Sequence, residues 1–312
     1  VKRERLKFAR AGGLRRTLAL LVARPFFALA LLLGRLLPAR ALLAIAAGSS
    51  GLVFAAFPGM RRNLLSNARN ILGVESSVSE RRRLARGILA SFARFIVEWV
   101  APKCLARPES IFEDLHGKEH FDRAVAGGNG VIAITLHMGN YELPGRELAA
   151  LGHDVAIVFN RERISFLERL RSSSRREKNL EEIVIDESRF FGIEVYRRLK
   201  DGGVVLLAGD QVGAPDAQLF RFLHGNARFS CWPARLAASS GAMILPSFCV
   251  RAEDGSYRLA IEPPIEASER DPHDVTAEIV EVLASYLERY PDQWLMVHEF
   301  WTPETTEAAF EE

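Results

Sequence analysis

One histidine in this chain stands where α/β proteins usually carry out chemistry. In Val131-Ile-Ala-Ile-Thr-Leu-His137-Met-Gly-Asn-Tyr-Glu142, six mostly apolar, β-favouring residues precede an imidazole. A glycine turn follows, then a run that reads as a helix, Glu142-Leu-Pro-Gly-Arg-Glu-Leu-Ala-Ala. This strand–turn–helix pattern puts His137 at the carboxyl end of a buried strand. Glu142 falls at the first helical turn, close enough to reach back to the ring. A neutral imidazole held in one tautomer by a carboxylate can take a proton from a substrate hydroxyl. Such a scheme needs no enzymic serine, because the acceptor alcohol is itself the nucleophile. The plainer alternative is a strand that ends in a hydrogen-bonded histidine, with Glu142 complementing the helix dipole.

Other residues could join this pair. Asp210 ends the run Gly203-Val-Val-Leu-Leu-Ala208 as His137 ends its own, so both could face one cleft; the alternative is a turn or capping aspartate beside Gly209 and Gly213. Arg161, Arg163, Arg171, Arg175 and Arg176 follow neighbouring strands, and one of them could hold an oxyanion or a substrate phosphate. Sequence alone does not choose among them. His224, in Phe220-Arg-Phe-Leu-His224-Gly225, reads as structural, and Phe229 and Trp232 as core or as the lining of an apolar slot. The chain has no GxSxG elbow, P-loop, HExxH or GxGxxG element.

The elements that must position these residues alternate. Strands are predicted at 131–136, 154–159, 183–185, 203–208, 243–250 and 257–261, and helices at 119–126, 165–171, 190–200, 234–239 and 276–288. The fold class is therefore α/β with a mixed sheet. Upstream, residues 61–74 and 79–100 read as amphipathic helices, the second with Leu84, Ile88, Phe92, Phe95 and Trp99 on one face. Glu98, near its end, reads as a surface residue, with a pocket-lining carboxylate as the alternative. The chain divides into a membrane-anchoring segment 1–60, helices 61–108 leading into the body, and an α/β body 109–312; Pro102 and Pro108 mark the second boundary.

The 312 residues are 48% hydrophobic with a formal charge of +2, enough for one large or two small domains. Basic residues crowd the N-terminal part among apolar runs, which favours an anionic membrane surface over nucleic acid. Residues 41–60 lack charge and could cross a bilayer, although Gly48-Ser-Ser-Gly51 weakens the drive to insert. Segment 18–37 reads as a helix lying in one leaflet. A retained helical hairpin, with the body on the cytoplasmic side, is expected rather than a cleaved signal peptide. Cys104, Cys231 and Cys249 form no metal-ligand pattern or disulfide framework, which fits a reduced compartment.

Taken in order, these motifs resemble the bacterial lipid A biosynthesis acyltransferase family, within the lysophospholipid acyltransferase group. His137-Met-Gly-Asn-Tyr-Glu142 is similar to its H-x4-D/E box, and Asp210-Gln211 with Gly213 to its Asp-Gln element. Phe222-Leu-His-Gly-Asn-Ala227, Pro233-Ala-Arg-Leu-Ala237, Ser240-Gly-Ala-Met-Ile-Leu-Pro246 and Tyr290-Pro-Asp-Gln-Trp294 follow in the family's order. Asn63-Leu and Asn67 match the segment after its anchor. The resemblance implies a glycerol-3-phosphate-acyltransferase-like body at the cytoplasmic face of the inner membrane. It implies transfer of a fatty acyl chain from acyl-carrier protein or CoA to a hydroxyl of a membrane lipid, with a lipid A precursor as first acceptor and another glycolipid, phospholipid or aminolipid as alternatives. No cofactor or metal is implied. By carry-over His137 is the general base, Glu142 its orienter, Asp210 an active-site acid and Arg175, in preference to Arg176, the catalytic arginine. Asn140, Arg161, Arg176, Gln211 and Arg235 are candidate substrate contacts. Phe159-Asn160-Arg161 departs from the family's Tyr-Arg-Pro, and Val212 from its usual acid, which bears on the acceptor. The rival classes are a lipid or thioester hydrolase using the same base on water, and a non-catalytic lipid-binding protein.

Overall fold

A computed structural model describes residues 36–101, 115–160, 172, 175, 180–185 and 190–302. The helix expected at 165–171, the segment 18–35, Cys104, Pro102 and Pro108 lie outside the described residues, as do Arg161, Arg163, Arg171 and Arg176.

Among the described residues the body is a seven-stranded sheet. Its strands are β1 (Leu115–His116), β2 (Val131–Thr135), β3 (Val155–Asn160), β4 (Glu181–Ile185), β5 (Val204–Ala208), β8 (Met243–Arg251) and β9 (Tyr257–Ile261), in the order β1-β9-β8-β2-β5-β3-β4. All neighbours are parallel except β8 and β9, so the sheet is mixed as its sequence predicts. Between β5 and β8 the chain inserts a separate antiparallel hairpin, β6 (Ala217–Phe222) and β7 (Gly225–Ser230).

Buried on both faces, the central strands build two cores, because successive side chains point to opposite sides. Ile132, Ile134, Leu136, Val158 and Leu207 pack under helices α7 (Trp232–Ser240) and α8 (Pro272–Arg289). Val131, Val155, Ile157, Phe159 and Val204 pack on the other face, beneath α4 (Lys118–Ala126) and α5 (Leu143–Ala150). Helix α6 (Phe190–Lys200) precedes β5.

Among the described residues, three helices precede the body: α1 (Ala39–Ala56), α2 (Pro58–Leu72) and α3 (Val78–Val100). The uncharged stretch 41–60 is therefore not one helix. Pro58 disfavours helical geometry at the residue before it, and α1 ends at Phe57 (φ −113°, ψ 84°). At 18 residues α1 is long and apolar enough to cross a membrane. It buries one stripe, Leu42, Ala46, Ser50 and Phe54, and leaves Leu52 and Ile45 exposed. Gly73 stops α2 at φ +87°. A capping box then starts α3: the Ser77 hydroxyl accepts from Glu80 N at 3.2 Å, and the Glu80 carboxylate from Ser77 N at 2.7 Å.

Candidate active site

Strand register brings the two leading residues together. Thr135 of β2 is paired with Ala208 of β5 in the parallel ladder, and His137 and Asp210 each lie two residues further along. Parallel neighbours run about 4.8 Å apart, so equivalent positions past the strand ends meet over one cleft. His137 Nδ1 lies 2.7 Å from Asp210 Oδ1, and the His137 backbone N–H points at the same carboxylate, 3.1 Å from Oδ2. Gly139 (φ +57°) closes the turn that follows; a Cβ there would run into the Cys249 carbonyl of β8. Asn140 N donates to that carbonyl at 3.1 Å.

Asp210 is buried, at 1% exposure, and the His137 side chain is 38% exposed. Burial works against the charge on Asp210. The His137 charge and the hydrogen bonds from His137 and the Trp294 indole outweigh it, and hold the carboxyl below its ordinary range. An anionic Asp210 accepts a proton-bearing Nδ1, which makes Nε2 the accepting nitrogen of the neutral ring. Tyr141 lies edge-on to the imidazole at 4.9 Å and stacks on Phe95 of α3 at 5.2 Å.

Glu142 is placed otherwise than its spacing suggests. The carboxylate on His137 Nδ1 is that of Asp210, whereas Glu142 takes Arg175 as a two-pronged partner: Arg175 Nε donates at 3.0 Å and Nη2 makes the second contact. Arg175 Nη1 reaches Glu182 at 3.0 Å, and its guanidinium lies over the Phe159 ring at 4.6 Å. The physical reason is direction. Glu142 stands at the N-terminal end of α5, which packs on β3, so its side chain meets Arg175, whose guanidinium lies over Phe159 of β3 and reaches Glu182 of β4. Burial disfavours the guanidinium charge, but Glu142 and Glu182 more than restore it, so Arg175 is held above its usual value. Of the two arginines that the sequence leaves open, Arg175 thus lies beside the H-x4-E box.

Glu98 corrects another expectation. It is 1% exposed rather than on the surface, because cations and donors from three directions meet it. Arg94 Nε donates at 3.0 Å, Arg251 Nη2 lies at 3.6 Å, and the Tyr257 hydroxyl and Asn140 Nδ2 (3.5 Å) share Oε2. Asn140 is thereby tied to the scaffold of the turn. The signal was available: Arg94 stands four residues before Glu98, on the same helical face.

Sequence reasoning gave no role to Trp294. It is fully buried, and its Nε1–H donates to Asp210 Oδ2 at 2.7 Å. His224 sits in the β6–β7 turn against Gly73. Gln211 and Arg235 line a cavity of about 370 Å³ beside Asp210, and Arg235 is paired with Asp216. Ile134, Leu207, Phe229, Ile279, Val280 and Leu283 make its apolar walls, on the sheet face under α7 and α8. Among the described residues no cluster of His, Cys, Asp and Glu is arranged to hold a metal ion.

A family model described as bacterial lipid A biosynthesis acyltransferase matches residues 15–302. The chain is similar to a phosphatidylinositol mannoside acyltransferase of Mycobacterium tuberculosis, 23% identical over 193 residues, which are 62% of this chain and 61% of that protein. The match thus spans less than two thirds of that relative. It is also similar to a lipid A biosynthesis palmitoleoyltransferase of Escherichia coli, 26% identical over 231 residues, covering 72% of this chain and 73% of the relative. A phosphatidylinositol mannoside acyltransferase of Mycolicibacterium smegmatis is 24% identical over 220 residues, with 70% and 72% covered.

Proposed function

The chain belongs to the bacterial lipid A biosynthesis acyltransferase family, and we propose that it transfers a fatty acyl chain from an acyl-carrier-protein or CoA thioester to a hydroxyl of a membrane lipid. The single observation that carries this reading is the half-exposed His137 with a buried, ionised Asp210 on Nδ1. His137 Nε2 takes the proton of the lipid hydroxyl as its oxygen attacks the thioester carbonyl. The tetrahedral intermediate then collapses: the C–S bond breaks, and the imidazolium returns its proton to the departing thiolate. Acyl transfer is thus complete without a covalent enzyme intermediate.

Roles follow from geometry. Asp210 fixes the tautomer and supports the imidazolium. Arg175 has three nitrogens committed to Glu142 and Glu182 and acts as a positioning residue, holding the H-x4-E box against β3 and β4. The apolar cavity beside Asp210 receives the acyl chain. Each buried methylene is worth roughly 0.8 kcal/mol, so its depth sets the preferred chain length.

A glycosylated lipid is the acceptor we favour, with a lipid A precursor first; the names of the relatives support this class. We place the body at the cytoplasmic face of the inner membrane. There α1 would enter the bilayer, and exposed Arg62, Arg69, Arg82, Arg83 and Arg86 of α2 and α3 would meet anionic headgroups.

The test supplies the full-length protein with a panel of acyl-carrier-protein and CoA thioesters and a total lipid extract, and identifies products by mass. Gain of one acyl chain on a glycolipid is the expected result. Gain on a phospholipid or aminolipid moves the acceptor and keeps the mechanism. Thioester consumed only to free acid overturns transfer in favour of hydrolysis.

A further inference from the structure

We propose that Trp294 is a positioning residue for proton transfer. Its indole N–H fixes the Asp210 carboxylate, and the C-terminal strap 293–301 exists in part to deliver it. The inference rests on the reading of His137 as the base.

The strap and the catalytic turn are zipped together by their backbones. Gly139 N donates to Gln293 O at 3.0 Å, and Leu295 N donates to His137 O at 2.7 Å. Met138 and Trp294 form the antiparallel bridge between these two bonds. Pairing on either side leaves the Trp294 side chain one direction, toward Asp210. Donors from opposite sides then bracket that carboxylate: the His137 ring on Oδ1 at 2.7 Å, and on Oδ2 the Trp294 indole at 2.7 Å beside the longer bond from the His137 backbone N–H at 3.1 Å. A carboxylate held at both oxygens cannot rotate about its own axis, so the imidazole it carries stays aimed.

The strap is in turn anchored by side-chain hydrogen bonds. The Gln293 side chain accepts from Arg251 N at 2.7 Å and donates to Arg251 O at 2.9 Å. Asn67, fully buried on α2, donates to His298 O at 2.7 Å and to Met296 O at 3.3 Å, and accepts from Phe300 N at 3.2 Å. Asn63 reaches Val297 O at 3.4 Å. Phe300 and Trp301 stand edge-on to the Trp294 ring, at 5.2 and 5.5 Å. A phenylalanine would satisfy those ring contacts; the N–H on Asp210 is what it would lack.

Tyr141 of the catalytic turn is a titratable group that faces the pair. Glu98 reaches that turn only through Asn140. The strap offers Gln293 and Leu295, and α8 offers Leu283 beside Gly209; none of these titrates. Without the indole donor, Asp210 carries its charge less dispersed and holds the imidazolium proton more tightly.

The experiment compares full-length wild type with Trp294→Phe in the acyl-transfer assay, using thermal unfolding as the control for folding. The expected result is a fall in kcat of about tenfold to a hundredfold, the range for losing a group that orients a working side chain. KM should be nearly unchanged, and the ascending limb of the pH profile should move to higher pH. In an Asp210→Asn background the second substitution should cost nothing further, because the indole then has no carboxylate to position. If Trp294→Phe does not fold, benzothienylalanine at 294, which keeps the ring shape and lacks the N–H, takes its place. Unchanged kcat and pH profile in a folded variant overturn the proposal, as does an equal loss in the Asp210→Asn background. Full activity of His137→Ala would instead overturn the base reading on which it rests.

Discussion

Two carboxylate–cation pairs flank the same strand ends, and they are built for opposite ends. Asp210 is buried, but its partner His137 is partly open to the cleft and can gain or lose a proton. Glu142 and Arg175 are both buried, and the cation is one that never deprotonates in practice. The difference lies in neighbours. Asp210 spends its second oxygen on neutral donors, the Trp294 indole N–H and the His137 backbone N–H, which leaves one negative charge to support a proton on the imidazole. Arg175 faces two carboxylates, Glu142 and Glu182, and the aromatic face of Phe159, so its charge is fixed in place. The first pair can take part in chemistry. The second is a strut, and it lies on the sheet face opposite the apolar cavity.

Substitutions can break that contrast. Asp210→Asn should lower kcat by about two to four orders of magnitude, because an amide can hold the wrong imidazole tautomer and cannot support the imidazolium. Steady-state kinetics check this, with KM expected to move little. Glu142→Gln should act mainly on the fold. Removing one partner of a buried ion pair costs about 3–5 kcal/mol, and Glu182 should keep the loss near the lower end. Chemical denaturation measures it, and activity per folded molecule should fall far less than for Asp210→Asn.

Acidity sharpens the comparison. Asp210 is held below its ordinary range, so the unfolded chain binds that proton at higher pH than the folded one. The resulting stability is fully present above the unfolded value of about 3.9 and is lost as pH falls through the folded value. Melting curves from pH 6 down to about 3 should therefore show an acid-destabilised limb, which Asp210→Asn flattens. The smallest effect should come from Arg235→Ala. Its pair with Asp216 is partly exposed and is worth under about 1 kcal/mol, so thermal unfolding should barely move.

The same pairs mark how far sequence could lead. His137 was legible because an apolar run must be a strand and a glycine turn must follow it, and Asp210 because its own strand repeats the pattern. Their register, Thr135 against Ala208, is a long-range fact that no local pattern carries. Glu142 lay five residues from His137, and nearness along the chain suggested contact. The direction of α5 decided otherwise, through an arginine 33 residues away. Trp294 and Asn67 were visible only as members of motifs, since their partners lie 84 and about 230 residues distant. The β6–β7 hairpin turns on Leu223-His224, with Leu223 at φ +50°, and lacks the Asn-Gly pair that usually announces a two-residue turn.

The most direct measurement of the central claim is acyl transfer by purified His137→Ala beside wild type, in the same lipid extract and with the thioester donor that wild type uses. The account predicts mass gain on lipid with wild type and at least about a hundredfold less with the variant, at matched folding and membrane association. Undiminished transfer by a folded His137→Ala protein would contradict it.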